Sequence, residues 1–181
     1  MTITPSLVTR IRDTACQQGA FRLPTGQVID EYFDEYLLAA DPALLRDVAA
    51  EMAERLPPDT EALVGLELGG IPLAVAVSAA TGVPAGFFRR ERKPYGTCRQ
   101  LEGHAIAGRC VVLIDDVVRS GSQLLRAASV LRCAGADVTT ALCVLDRDRD
   151  GRTRLAEQQI MLRSLLTPAV LHSHSSVQRT G

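Results

Sequence analysis

Several features that would assign the chain to a common class are missing from it. No apolar run approaches the length that crosses a membrane, and the opening stretch MTITPSLVTRIRDTACQQ lacks the apolar core of a signal peptide. A net charge of −1 argues against a protein whose main role is to bind nucleic acid. Neither GxxxxGKS/T nor GxGxxG occurs, which weakens the case for an unrelated nucleotide-binding enzyme.

Paired cysteines are also missing. The five cysteines are scattered, odd in number and without CxxC spacing: Cys16, Cys98, Cys110, Cys133 and Cys143. This usage indicates reduced thiols in a cytoplasmic protein. Two histidines in the polar tail, His172 and His174, are predicted to be solvated rather than bound to a metal.

The size and composition predict one soluble globular domain. The chain has 181 residues, of which 46% are apolar and 23% charged. A chain of this size can bury a core without disulfide bonds or metal ions to stabilise it. We expect an N-terminal helix and hood over about 1–40, a core over about 41–170 and a frayed tail over 171–181.

Apolar periodicity divides the chain into alternating strands and helices. A helix is predicted over 5–18, and Asp41 with Pro42 opens a second helix that ends near Arg55. Strands separated by helices imply crossover connections, so the predicted fold class is α/β with a central, mostly parallel sheet flanked by helices. Further strands are predicted over 62–68, 84–88, 109–114, 137–145 and 160–166, helices over 72–80, 124–134 and 152–158, extended pieces over 21–36 and a polar loop over 89–108.

The segment VVLIDDVVRSGSQ is the most informative part of the sequence. Its apolar start predicts a buried strand that ends at Asp115 and Asp116, because an unpaired buried charge costs several kcal/mol. The following turn at Ser120–Ser122 can cradle an anion at the start of the next helix. Acids beside such a cradle suit a sugar phosphate. The alternative is an ordinary strand–turn–helix with solvated acids.

Three other places carry candidate chemistry. The loop after the strand at 84–88 holds five cations in eleven residues and suits pyrophosphate, although a solvated surface loop would have the same composition. The turn at 67–70 is either a tight connection or an anion site with close backbone approach. Arg147 is either a surface residue or a group at the same sheet edge as Asp115. The five loop cations are Arg89, Arg90, Arg92, Lys93 and Arg99.

The 111–123 segment resembles the phosphoribosyl-diphosphate (PRPP) signature of type I phosphoribosyltransferases. The stretches 19–36, 64–72 and 88–97 look like those of orotate phosphoribosyltransferases, in the same order. The resemblance implies transfer of phosphoribosyl from PRPP to orotate, Mg²⁺ bound mainly through PRPP and water, and a homodimer with shared sites. It implies a pyrophosphate loop at Glu67, Leu68, Gly69 and Gly70, catalytic roles for Lys93, Asp115 and Asp116, and orotate binding by Arg119 and Arg147. The implied PRPP-binding set is Arg89, Arg90, Lys93, Tyr95, Asp115, Asp116, Val117, Val118, Arg119, Ser120, Gly121, Ser122 and Gln123.

Four positions depart from the family pattern. Tyr95 stands where many members carry histidine, and Gly69 and Pro24 stand where some carry lysine. Arg119 replaces the usual threonine. An arginine there either pairs with a carboxylate or crowds the base pocket, so a phosphoribosyltransferase for another base remains an alternative, as does a non-catalytic PRPP-binding regulator.

Overall fold

The computed structural model describes residues 3–22, 26–96 and 99–173. The helices are α1 Pro5–Ala15, α2 Glu35–Ala40, α3 Pro42–Ala53, α4 Gly70–Thr81, α5 Ser122–Cys133, α6 Gly151–Glu157 and α7 Pro168–His172. The strands are β1 Cys16–Arg22, β2 Val28–Phe33, β3 Ala62–Leu66, β4 Ala85–Phe88, β5 Leu101–Gly103, β6 Cys110–Val118, β7 Asp137–Asp146 and β8 Met161–Leu166.

A six-stranded sheet of order β5-β4-β3-β6-β7-β8 forms the centre of the fold. All neighbouring pairs are parallel except β4 with β5, which confirms the predicted mostly parallel α/β sheet. All five residues of β3 are buried, as expected of a strand covered on both faces.

Two apolar clusters lie on opposite faces of this sheet. Along β6, Val112 and Ile114 join the cluster that contains α1, α3 and α4, whereas Val111 and Leu113 join the cluster that contains α5. This alternation is the two-residue period of a strand. Helices therefore cover both faces and leave the strand ends for ligands.

A small antiparallel hairpin of β1 and β2 forms the hood outside the central sheet. The predicted helix over 5–18 ends earlier, at Ala15, because Cys16 already pairs with Phe33. Phe33 anchors the hairpin in the core at 1% exposure. Asp34 then caps α2 with its carboxylate and was not predicted to start a helix.

Three short elements differ from the prediction. Besides α2, the helix α7 and the strand β5 form, the latter inside the stretch predicted as a polar loop. β5 has only three residues and depends on its antiparallel pairing with β4. His172 ends α7 and lies 3.4 Å from a Glu31 carboxylate oxygen. His174, Pro24, Cys98 and the last seven residues lie outside the described ranges.

Within the described ranges, no helix is long and apolar enough to cross a bilayer. Four cysteines carry free thiols in the same ranges: Cys16, Cys110, Cys133 and Cys143.

Candidate active site

Four segments meet where the parallel strands β3, β4, β6 and β7 end. The Glu67 carboxylate accepts a hydrogen bond from Arg90 N at 2.7 Å, which joins the segment after β3 to the one after β4. Arg147 N donates to Val118 O at 2.8 Å, which joins the segment after β7 to the end of β6. The structure therefore brings the acid pair, the cradle, the basic loop and Arg147 to one edge of the sheet.

The acid pair lies inside β6, not beyond it. The expectation that the strand ends before Asp115 is wrong, because β7 continues alongside and pairs Asp115 with Cys143. Asp115 is 8% exposed, and burial, followed by the charge of Asp116, raises its pKa well above the ordinary value. Burial therefore favours the protonated form of Asp115 more than it would for an exposed carboxyl.

Asp116 reaches from β6 to the loop before α4. Its Oδ1 accepts a hydrogen bond from Val117 N at 2.6 Å. A Cβ atom on Gly69 would lie 1.7 Å from Asp116 Oδ2, so the carboxylate occupies the space of a side chain at position 69. A Cβ on Gly70 would lie 2.3 Å from Ile114 O, which shows how closely this loop packs on β6.

The helices α4 and α5 begin at this edge and lack side-chain caps. No side chain caps α4, whose N-cap is Gly69, or α5, whose N-cap is Gly121 in the left-handed conformation at φ 69°. By contrast, side chains cap α1, α2, α3 and α7. Uncapped N–H groups and the positive helix end bind anions. The short helix α6 is also uncapped, and its first residue packs against the cradle.

A cavity of about 200 Å³ lies at the cradle before α5. The hydroxyls of Ser120 and Ser122 are 2.9 Å apart and share a hydrogen bond. The side chain of Val117 packs against one core and that of Val118 lies in the other. The cavity is lined by Asp115, Val117, Val118, Arg119, Ser120, Gly121, Ser122, Gln123 and Leu124.

The basic loop lines a second cleft, of about 480 Å³. Lys93 forms an ion pair with Glu102 on β5, and this interaction lowers the pKa of the Glu102 carboxyl. Tyr95 is 67% exposed. This cleft brings the cations beside the turn at 67–70: it is lined by Tyr36, Glu67, Leu68, Arg89, Arg90, Glu91, Arg92, Lys93 and Pro94.

Arg119 and Arg147 lie near each other on the hood side of the site. Burial and the positive charge of Arg119 lower the pKa of Arg147. Arg147 Nε is buried and has no hydrogen-bond partner among the described residues. Two neighbouring cations with an unused donor favour an anionic group between them.

Hood residues that the sequence analysis did not single out also face the site. Burial, together with the charge of Asp116, raises the pKa of Glu35, and Arg119 acts on the same carboxyl in the opposite direction. Burial and the charge of Glu35 raise the pKa of Tyr32, Asp116 adds to the rise, and Arg119 opposes it. The only sequence signal for these residues was their place in the aromatic stretch at 21–36.

Metal ligands are few. Among the described residues, no group of three or more His, Cys, Asp or Glu side chains could hold a metal ion. The carboxylates of Asp115 and Asp116 suit a Mg²⁺ ion that takes most of its oxygens from a substrate and water.

Known proteins share this architecture over nearly the whole chain. The model of the phosphoribosyl transferase domain family matches residues 38–165. The orotate phosphoribosyltransferase of Nocardioides sp. is 46% identical over 172 residues, covering 94% of this chain and 96% of that protein. That of Halobacterium salinarum is 40% identical over 172 residues, covering 94% and 98%. The solved orotate phosphoribosyltransferase of Aeropyrum pernix aligns with a TM-score of 0.82 at 29% identity, covering 96% of this chain and 99% of that one.

Proposed function

The chain belongs to the orotate phosphoribosyltransferase family, and we propose that it transfers phosphoribosyl from PRPP to orotate in pyrimidine biosynthesis. The products are orotidine 5′-monophosphate and pyrophosphate. The observation that carries the proposal is the acid pair of β6, which lies between two helix N-termini without side-chain caps. Such an edge suits a sugar with a phosphate on each side.

Each part of PRPP has a matching part of the site. The 5-phosphate fits the N–H groups at 120–123, and the ribose hydroxyls fit the carboxylates of Asp115 and Asp116. The diphosphate fits the turn at 67–70 and the loop cations. The bond from the anomeric carbon to the diphosphate oxygen breaks as the bond to N1 of orotate forms, and the proton of N1 is released to the departing diphosphate. Positioning and charge stabilisation are then the main catalytic terms.

Orotate is the base that the two arginines favour. Its carboxylate fits between Arg119 and Arg147, where it would satisfy the buried Nε of Arg147 and relieve the repulsion between the guanidinium groups. Arginine is suited to this contact because its planar fork matches a carboxylate. A base without an anionic group would leave the buried Nε of Arg147 without a hydrogen-bond partner among the described residues.

We propose that Mg²⁺ binds together with PRPP. The scarcity of ligand clusters among the described residues fits an ion held by diphosphate oxygens and water, near Asp116. Bound there, the ion would neutralise charge on the diphosphate. Free thiols at four described cysteines support a cytoplasmic location.

A homodimer with shared sites is part of the proposal. The helix α4 is apolar on nearly all sides. Its Val75 is 50% exposed, and Leu68 in the turn before the helix is 57% exposed. A helix that is apolar all round is usually buried. A second copy of the chain is its expected cover, and the adjoining basic loop would then reach the partner's site.

Mixing two inactive variants tests the shared site. Lys93→Ala and Asp116→Asn should each lose most activity while keeping the fold. Mixed and allowed to exchange subunits, they should recover about one quarter of wild-type activity, because half of the dimers are mixed and each carries one intact site. No recovery, with subunit exchange shown by mass, would place Lys93 at its own subunit's site.

The reaction itself is tested by the loss of orotate absorbance with PRPP and Mg²⁺. A panel of other bases, followed by pyrophosphate release, serves as the comparison. Consumption of a different base would replace orotate in the proposal. Binding of PRPP with no base consumed would favour a regulator.

A further inference from the structure

The guanidinium of Arg154 contacts the 5-phosphate cradle from the neighbouring helix. Arg154 lies on α6, and its Nη1 donates to Ser120 O at 2.8 Å and to Ser122 Oγ at 3.2 Å. These atoms flank Gly121, the N-cap of α5. A cation thus lies against the loop at the position where the proposed function places a dianionic phosphate.

The backbone of α6 also packs directly on the cradle. A Cβ on Gly151 would lie 2.4 Å from Arg119 O, and a Cβ on Gly121 would lie 3.2 Å from Gly151 O. Leu155, one residue after Arg154, is fully buried and faces Gly121 at 3.3 Å from the same hypothetical Cβ. The helix therefore holds Arg154 at a fixed distance from the loop.

The cradle is short of positive charge without this residue. Between 117 and 123 the sequence has one cation, Arg119, and the charges that Arg119 acts on lie in the hood and at Arg147. A phosphate dianion bound by N–H groups and hydroxyls gains from a further cation nearby.

We propose that Arg154 is a positioning residue for the 5-phosphate, which fixes Ser120 and Ser122 from α6 and supplies the cradle with positive charge. This inference rests on the proposed function. Both contacts use Nη1, and they hold the backbone of Ser120 and the hydroxyl of Ser122 together on either side of Gly121. No local sequence pattern marks Arg154, because it follows the cradle by more than thirty residues.

The test compares Arg154→Gln and Arg154→Lys with a matched control, Arg132→Gln. Arg132 also lies beside α6, but its guanidinium holds Val138 O and Gln158 O, away from the cradle. Calorimetry with ribose 5-phosphate and with PRPP gives the affinities, and steady-state kinetics give separate KM values for PRPP and orotate.

Arg154→Gln should weaken ribose 5-phosphate binding and raise the KM for PRPP about tenfold, equivalent to about 1.4 kcal/mol. The KM for orotate and the kcat should stay within about twofold, and Arg154→Lys should recover part of the loss because it keeps the charge. Arg132→Gln should lower the Tm without changing either phosphate affinity.

Equal affinities for wild type and Arg154→Gln, or an equal loss in Arg132→Gln, would overturn the inference. A lysine variant no better than the glutamine variant would overturn the role of charge. A wild-type chain that consumes no orotate, yet binds ribose 5-phosphate in an Arg154-dependent way, would contradict the proposed function and keep this inference.

Discussion

Replacing Gly69 with alanine isolates the contact between Asp116 and the loop before α4. Gly69 has φ −69° and ψ −25°, which any residue can adopt, so the backbone itself permits alanine. The added Cβ would lie 1.7 Å from Asp116 Oδ2 and 2.6 Å from its Cγ. The carboxylate must therefore turn away, and the hydrogen bond from Val117 N to Asp116 Oδ1 must break.

The change affects both stability and substrate binding. Loss of the hydrogen bond to the charged carboxylate costs about 1.5–3 kcal/mol, and the alanine offsets about 0.4–1 kcal/mol by restricting the unfolded chain. Stability should therefore fall by about 0.5–2.6 kcal/mol, and each kcal/mol lowers the Tm by about 2–4 °C. The displaced carboxylate can no longer hold the ribose, and a lost charge-assisted hydrogen bond of about 1.5–3 kcal/mol lowers kcat/KM for PRPP about 10- to 150-fold.

Thermal unfolding and PRPP kinetics measure the two effects on the same variant. Gly82→Ala is the matched control, since nothing lies within 4 Å of its Cβ position and its strain comes only from φ 76°. The control should lose stability and keep the KM for PRPP. If Gly69→Ala keeps wild-type kcat/KM, the carboxylate of Asp116 is not held by this loop. An equal loss in the Asp116→Ala background would also refute the argument, because the clash is then largely gone.

Three further outcomes are expected. Because burial raises the pKa of Asp115, its contribution to stability is full below the ordinary pKa of about 3.9 and is lost as pH rises through the raised value. Asp115→Asn should therefore raise the Tm at pH 8 more than at pH 4 while weakening PRPP binding, and an unchanged pH profile of Tm would contradict this. Arg119→Thr should raise the KM for orotate a few-fold, whereas a lower KM would show that Arg119 crowds the pocket. Glu102→Gln frees Lys93 from its ion pair and should lower the KM for PRPP, as steady-state kinetics would show.

The sequence predicted what depends on neighbours along the chain. The cradle at Ser120–Ser122 follows from small residues between an apolar run and a helical pattern, and the structure places it there. The strand–helix alternation has the same local origin, so the parallel sheet was also predicted. These local patterns can be identified without knowing which strands become neighbours in the sheet.

What the sequence analysis missed depends on contacts between distant segments. Asp115 is buried because β6 continues past it while paired with β7. No local sequence pattern predicts this continuation of the strand. The short strand β5 forms because it pairs with the edge strand β4. This pairing places Glu102 of β5 against Lys93. The close approach of Gly69 to Asp116 involves two residues that are far apart in the sequence and that become neighbours only in the folded sheet.

The free site holds like charges close together, and this explains why it should gain stability from its substrates. Burial, with the charges of Asp116 and Glu35, raises the pKa of Asp115, and burial with the charge of Arg119 lowers that of Arg147. Arg119 only partly offsets the charge of Glu35, so each group keeps like charges close together. Hydroxyl groups of a ligand would donate to the acids, and a ligand carboxylate would pair with the arginines. Only a ligand with both features relieves the repulsion in both groups, and this relief adds to its binding free energy. A sugar diphosphate paired with an anionic base meets that requirement, whereas either alone relieves one group and leaves the other unchanged.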